Sequence, residues 1–100
     1  METINETYKQ LLNNCRSIKE ELENPETSIY EWLEDALEIQ YITNMKKEYI
    51  GSEILLCCGG PTIRVNTKWN QIEGFWGGDE VTISYENNEL DEILEEYYNM

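Results

Sequence analysis

The fold is decided by the stretch from Tyr49 to Tyr85, which is YIGSEILLCCGGPTIRVNTKWNQIEGFWGGDEVTISY. Four runs in it are rich in the β-branched and aromatic residues that favour strands: 49–58, 62–67, 71–76 and 81–85. The breaks between them contain turn residues, such as Gly59-Gly60-Pro61 and Gly77-Gly78-Asp79. This pattern predicts an antiparallel meander. The segment Ile54 to Cys58 is apolar at every position, which predicts a central strand covered on both faces.

Upstream of this stretch, residues 39–43 are also rich in strand-forming residues, and two amphipathic helices are predicted before them. The first helix has one apolar stripe, formed by Ile4, Tyr8, Leu11, Cys15, Ile18 and Leu22. Thr3 and Glu6 have the spacing of a capping box, and Asn24-Pro25 ends the helix. The second helix is predicted to begin at Ser28, with Glu31 in the capping-box position. Its apolar face consists of Ile29, Trp32, Leu33, Ala36 and Leu37.

Downstream of the stretch, a third helix is predicted to begin at Asn88. Its buried stripe consists of Leu90, Ile93, Leu94 and Tyr97, and its outer face of Asp91, Glu92, Glu95 and Glu96. The predicted order is two helices, five strands and one helix. We therefore expect a single acidic α+β domain over residues 1–100. In it, two N-terminal helices and one C-terminal helix pack against an antiparallel sheet of four to five strands.

Net charge is the most unusual property of the sequence. It has 21 acidic residues, 7 basic residues and no histidine, which gives a net charge of −14 at pH 7. Lys68 is the last basic residue, so the carboxylates that follow it have no neighbouring cation in the sequence. A strongly negative protein repels nucleic acids and anionic membranes, which are polyanions, and attracts basic surfaces. We expect a basic protein as partner, with no direct contact to nucleic acid or membrane.

The sequence contains no pattern typical of an enzyme or a metal site. Without histidine it lacks the commonest general base, and Cys15, Cys57 and Cys58 do not have the spacing of a zinc site. We therefore expect a protein that is not an enzyme and binds no cofactor or metal. The odd number of cysteines argues against a disulfide framework. Together with the lack of a signal-peptide pattern and of a long apolar run, it predicts a cytoplasmic protein with reduced thiols.

The strongest candidate site is the acidic helix at the carboxyl end. Carboxylates four residues apart on a helix repel one another, and cations on a partner would relieve that repulsion. A row of carboxylates could also occupy a groove that normally binds DNA phosphates. The predicted partner-binding residues are Glu89, Asp91, Glu92, Glu95 and Glu96, with Asp79, Glu80 and the aromatic anchor Trp76 adjoining them. The simpler alternative is a solvated helix face without a partner.

Two resemblances bear on function. Between Ile54 and Tyr85 the chain contains Gly59-Gly60-Pro61, Ile63, Val65, Thr67, Gly74 and Trp76-Gly77-Gly78-Asp79. In these residues it resembles a group of small uncharacterised proteins typical of Firmicutes and their mobile elements, which implies no activity. In size and acidity it resembles phage-encoded anti-CRISPR and anti-restriction proteins. That resemblance assigns no residues, but it implies a DNA-mimic-like inhibitor on the nucleic-acid-binding surface of a host defence nuclease, such as a CRISPR effector or a restriction enzyme.

Two other hypotheses remain open from the sequence. The regular stripe of the first helix, with exposed aromatic residues, could form the seam of a homodimer, as in a small structural or assembly protein. The chain could also be a small enzyme or metal protein that has no familiar motif. A homo-oligomer would be stable and insensitive to salt, whereas an inhibitor of a basic target would bind in a salt-sensitive way.

Overall fold

The computed structural model describes residues 6–100. In chain order the elements are α1 (Glu6–Glu23), α2 (Ile29–Glu34), β1 (Glu38–Thr43), β2 (Tyr49–Cys57), β3 (Thr62–Asn66), β4 (Gln71–Trp76), β5 (Asp79–Ser84) and α3 (Asn88–Asn99). The predicted α+β class and order of elements are confirmed. Thr3 and Ile4, which the sequence assigns to the cap and the stripe of the first helix, lie outside the described residues.

The five strands form one antiparallel sheet in the order β1-β2-β3-β4-β5, so each strand pairs with its neighbours in sequence. The register aligns an apolar row across the sheet: Ile39, Ile54, Val65, Ile72 and Ile83. Side chains that are directly opposite one another in neighbouring strands lie on the same face. The buried residues of all three helices join this row in one hydrophobic core, so this is the inner face of the sheet.

The opposite face of the sheet is polar, and none of the three described helices packs on it. It carries Glu53, Arg64 and Glu73, which are half-buried, and Arg64 forms an ion pair with Glu73 at 2.8 Å. The prediction that the strand at Ile54 to Cys58 is covered on both faces is therefore wrong. Ile54 is fully buried on the inner face, whereas the adjacent Leu55 is only half-buried and Cys58 is exposed.

Helix α1 uses its apolar stripe to pack against β4 and β5. Leu11, Cys15 and Leu22 are buried, and the contact with β4 is close because Gly74 has no side chain. A Cβ atom at Gly74 would lie 2.8 Å from Cys15 Sγ and 2.9 Å from Leu11 Cδ1. The stripe is thus part of the protein's own core. Because Leu11, Cys15 and Leu22 are used in this contact, a homodimer seam along α1 would have to involve more exposed residues of the stripe, such as Tyr8, which is 41% exposed.

The other two helices begin where they were predicted to begin, but α2 ends earlier than predicted. Ser28 caps α2 as predicted, because its Oγ accepts a hydrogen bond from the Glu31 N–H at 3.4 Å. However, α2 ends at Glu34, and Leu37 is 60% exposed instead of lying on a buried helix face. Helix α3 begins at Asn88, as predicted, and Asn87 is its cap. In the described part of the chain, no helix is both long and apolar enough to cross a membrane.

Candidate partner-binding surface

Helix α3 presents four exposed carboxylates on the side opposite its core contacts. Leu90, Ile93 and Leu94 are buried and determine which side faces the sheet. The exposed carboxylates, which we call the acidic face of α3, are Glu89, Glu92, Glu95 and Glu96. Within residues 6–100, ion pairs join Lys19 to Glu23 and Arg64 to Glu73, and none reaches the acidic face. Its charges are therefore available to an external cation.

Polar and aromatic contacts hold α3 in place at both ends. At its start, Asn87 Oδ1 accepts a hydrogen bond from the Leu90 N–H at 3.0 Å, and Asn87 Nδ2 donates to the carbonyl of Leu22. Near its end, Tyr98 Oη donates to the carbonyl of Lys47 at 2.7 Å, in the turn between β1 and β2. The Tyr98 ring also lies 5.3 Å from the ring of Tyr41. These contacts give the acidic face a fixed orientation on the molecule.

The spacing of the acidic face is comparable with that of nucleic-acid phosphates. Glu89 and Glu96 are seven residues apart, so the face extends over about 10.5 Å of helix axis. The three intervals between its four carboxylates average about 3.5 Å of axis, close to the roughly 3.4 Å of axis per phosphate in one DNA strand. Glu95 and Glu96 also lie near the negative end of the helix dipole, and the last turn of α3 has no basic residue. Both effects make this surface attractive to cations.

Lys19, near the C-terminal end of α1, is already engaged within the chain. Its Nζ donates to Glu23 Oε2 at 2.7 Å and to the carbonyl of Ser84 at 3.0 Å. The hydrogen bond from Lys19, with a second one from the Glu86 N–H, lowers the pKa of the Glu23 carboxyl. Lys19 thus connects α1 to the end of β5 and caps a carbonyl at that edge of the sheet.

Asp91 differs from the other carboxylates of α3, because it points toward the sheet. Its Oδ1 accepts hydrogen bonds from Tyr49 Oη at 2.6 Å and from Thr67 Oγ1 at 2.7 Å. Thr67 Oγ1 in turn accepts from the Ser52 N–H at 2.8 Å. Burial, followed by the hydrogen bond to Asp91, raises the pKa of Tyr49 to about 12. The prediction that Asp91 lies on the outer face of the helix is wrong, and its structural role is to fasten α3 to β2 and to Thr67, the residue that follows β3.

The structure does not bring Trp76, Asp79 and Glu80 next to the acidic face of α3. They flank the turn between β4 and β5, whereas α3 begins after the opposite end of β5. The six residues of that strand separate the two regions by about 16 Å. Glu80 is exposed and Asp79 half-buried, but Trp76 is partly buried against the core and is not an exposed anchor. The exposed tryptophan is Trp69, with 63% of its surface accessible.

A second acidic region, which the sequence patterns do not predict as a site, lies around Trp32. Trp32 is half-buried and lines a groove of about 330 Å³ between α1, α2 and the ends of β2 and β3, which we call the Trp32 groove. Its Nε1–H donates to Glu21 Oε1 at 3.3 Å. The sequence places Trp32 on the buried face of a helix. What it does not reveal is that α2 is too short to cover the neighbouring strand ends.

Two of the three cysteines have thiols whose pKa is raised by burial. Burial, with a smaller contribution from Cys57, raises the pKa of the Cys15 thiol to about 11. Burial also raises the pKa of Cys57, so neither thiol is a reactive thiolate at neutral pH. Cys58 is exposed at the β2–β3 turn. Among residues 6–100, no group of three or more cysteine, histidine or acidic side chains is arranged to hold a metal ion.

Comparison with other proteins identifies no family for this fold and surface. No protein-family model, curated protein or solved structure matches the chain. Functional inference therefore depends on the geometry and charge of the surfaces described above.

Proposed function

We propose that the protein is a non-catalytic inhibitor that binds the basic nucleic-acid-binding surface of a defence nuclease, such as a CRISPR effector or a restriction enzyme. In this proposal the acidic face of α3 occupies part of the phosphate-binding groove and excludes the nucleic acid. The inhibition is steric and electrostatic, so it needs no bond-making step by the inhibitor. Long-range attraction between the two charged surfaces accelerates their association.

The observation that carries the proposal is the combination of charge spacing and lack of compensation on α3. Four exposed carboxylates share one rigid surface at nearly the axial charge density of a DNA strand. No cation in the described part of the chain pairs with them. A face that served only to keep the protein soluble would need neither feature, because interspersed charges of both signs would suffice.

The proposal is tested by measuring binding to purified defence nucleases at about 50 mM and about 500 mM NaCl, with and without competing DNA. We expect binding at low salt, weakening at high salt and mutual exclusion with DNA. Replacing Glu92, Glu95 and Glu96 together by Gln should weaken binding about tenfold or more at low salt, because charged contacts to the target are lost.

A matched control separates the acidic face from net charge alone. The variant Glu6→Gln/Glu20→Gln/Glu34→Gln also removes three negative charges, but from exposed positions on α1 and α2. It should reduce the association rate slightly and leave the dissociation rate unchanged. Equal losses in the two triple variants would reject the acidic face of α3 as the contact surface. Simultaneous binding of the protein and DNA to the same nuclease would reject competitive inhibition itself.

A further inference from the structure

The Trp32 groove exists because the helices do not completely cover the inner face of the sheet. Helix α1 packs over β4 and β5, and α2 has only six residues, so the ends of β2 and β3 remain partly uncovered. The floor of the groove is apolar and consists of Ile18, Leu56, Cys57 and Ile63. Except for Ile63, these side chains are only half-buried. The groove therefore combines solvent-accessible apolar surface with a rim of polar side chains.

Four carboxylates line the Trp32 groove and a depression next to it. Glu21 and Asp35 line the groove, and Glu26 and Glu31 line an adjoining depression that shares Glu21, Trp32 and Asp35. None of these four carboxylates forms an ion pair with a described residue. The groove therefore offers an aromatic ring, an apolar floor and negative charge to the same ligand.

We propose that the Trp32 groove binds an arginine side chain presented by a partner protein. The methylene stem of arginine would lie along the apolar floor, as long basic side chains commonly do at apolar surfaces. Its guanidinium group is planar and weakly hydrated, so it stacks on tryptophan and pairs with carboxylates through two parallel hydrogen bonds. A lysine ammonium group supplies the charge but neither the stacking plane nor the fork of donors. The groove should therefore prefer arginine to lysine.

This inference does not depend on the function proposed for α3. None of the residues that line the Trp32 groove belongs to α3, and the groove lies on the side of the molecule formed by α1 and α2. An arginine in this groove would provide a short-range, residue-specific contact, whereas the acidic face of α3 provides mainly long-range attraction. The two surfaces can therefore be tested separately.

The test is a titration followed by NMR, using the indole N–H signals of the protein. The chain has three tryptophans, so three such signals are expected, and Trp32→Phe identifies the one from Trp32. The probes are two blocked pentapeptides, Gly-Arg-Gly-Arg-Gly and Gly-Lys-Gly-Lys-Gly, which carry equal charge. We expect the arginine peptide to shift the Trp32 signal in a saturable way and to bind about tenfold more tightly than the lysine peptide. The signal of the exposed Trp69 serves as the control for unspecific association.

Three variants in the groove and one control on α3 separate the role of the carboxylates from that of the ring. Glu21→Gln keeps an acceptor for the Trp32 Nε1–H but removes the charge, and Asp35→Asn removes a charge at an exposed position; each should weaken arginine binding about threefold to tenfold. Trp32→Leu keeps an apolar side chain and should abolish the preference for arginine, measured by the backbone signal of Asp35. Glu95→Gln on α3 should leave the titration unchanged.

These outcomes test the proposed arginine site independently of the nuclease assay. Equal affinities for the two peptides, or shifts at Trp69 as large as those at Trp32, would mean that only net charge attracts them, and the proposed arginine site would be rejected. A preference for arginine that survives Trp32→Leu, or an affinity for the arginine peptide that is unchanged in Glu21→Gln and Asp35→Asn, would also reject it, because the arginine would then bind elsewhere. Loss of the preference in Trp32→Leu and weaker arginine binding in Glu21→Gln and Asp35→Asn, together with an unchanged titration in Glu95→Gln, would support it.

Discussion

Replacing Asp91 by Ala should destabilise the protein far more than replacing any carboxylate on the acidic face of α3. Asp91 Oδ1 accepts two short hydrogen bonds, from Tyr49 and Thr67, and both donors are partly or fully buried. Hydrogen bonds to charged groups contribute roughly 1.5–3 kcal/mol each. Because Asp91 is only half-buried, water replaces part of the lost interaction, and we expect a loss of about 2–3 kcal/mol in the free energy of unfolding.

The assay is urea unfolding followed by tryptophan fluorescence. With a denaturant dependence of about 1.5 kcal/mol/M, the expected loss lowers the urea midpoint by about 1.3–2 M. The matched control is Glu95→Ala, one helical turn further along α3, whose midpoint should stay the same or rise slightly because a repulsive carboxylate is removed. Asp91→Asn keeps an acceptor oxygen without the charge and should give an intermediate midpoint. If Asp91→Ala and Glu95→Ala had the same midpoint, the fastening role assigned to Asp91 would be wrong.

Two further predictions concern the buried tyrosines and the contact between α1 and β4. Burial raises the pKa of Tyr49 to about 12 and raises the pKa of Tyr85 above its ordinary value of 10.0. Both phenols therefore lose their protons at a higher pH in the folded state than in the unfolded state. Their contribution to the free energy of unfolding is therefore fully present below pH 10 and decreases as the pH rises toward 12. Alkaline unfolding curves should show this loss of stability, and the loss should be smaller in Tyr49→Phe. Gly74→Ala should cost about 1–3 kcal/mol, because its Cβ would lie 2.8 Å from Cys15 Sγ. Thermal unfolding should show partial recovery when Cys15→Ala is added, and additive effects of the two substitutions would contradict the close contact.

Local sequence patterns were sufficient for most of the fold. Strand β4 has the predicted bounds, and the ends of the other strands differ from the predictions by at most two residues. The agreement is close because turn residues such as Gly77-Gly78 mark the strand ends in the sequence. Periodicity correctly predicts the apolar stripe of α1, but it does not specify which surface the stripe contacts. The contact with the sheet depends on Gly74, which is more than fifty residues away in sequence and allows the helix to approach the sheet.

The site residues were harder to predict, because their roles depend on contacts between distant parts of the chain. Asp91 is next to Glu92 in sequence and has the same charge, yet its partners Tyr49 and Thr67 are 42 and 24 residues away. A helical wheel places Asp91 at the border of the apolar stripe, where such a contact decides its orientation. Similarly, Trp32 lies on the predicted apolar face of α2, and only the early end of that helix leaves it in a groove.

The charges on the acidic face of α3 should destabilise the folded protein but strengthen binding to a partner. Because the two effects are opposite, variants can distinguish a role in binding from a role in folding. Glu89–Glu92, Glu92–Glu95 and Glu92–Glu96 are neighbouring pairs on the helix, and each like-charge pair costs about 0.2–0.5 kcal/mol. The total of about 1 kcal/mol is tolerated because Leu90, Ile93 and Leu94 anchor the helix in the core. Cations on a partner would remove this repulsion, which alone would strengthen binding about fivefold. Neutral variants at Glu92, Glu95 and Glu96 should therefore be more stable and bind more weakly; variants that are both more stable and equally active would show that the charge does not contribute to binding.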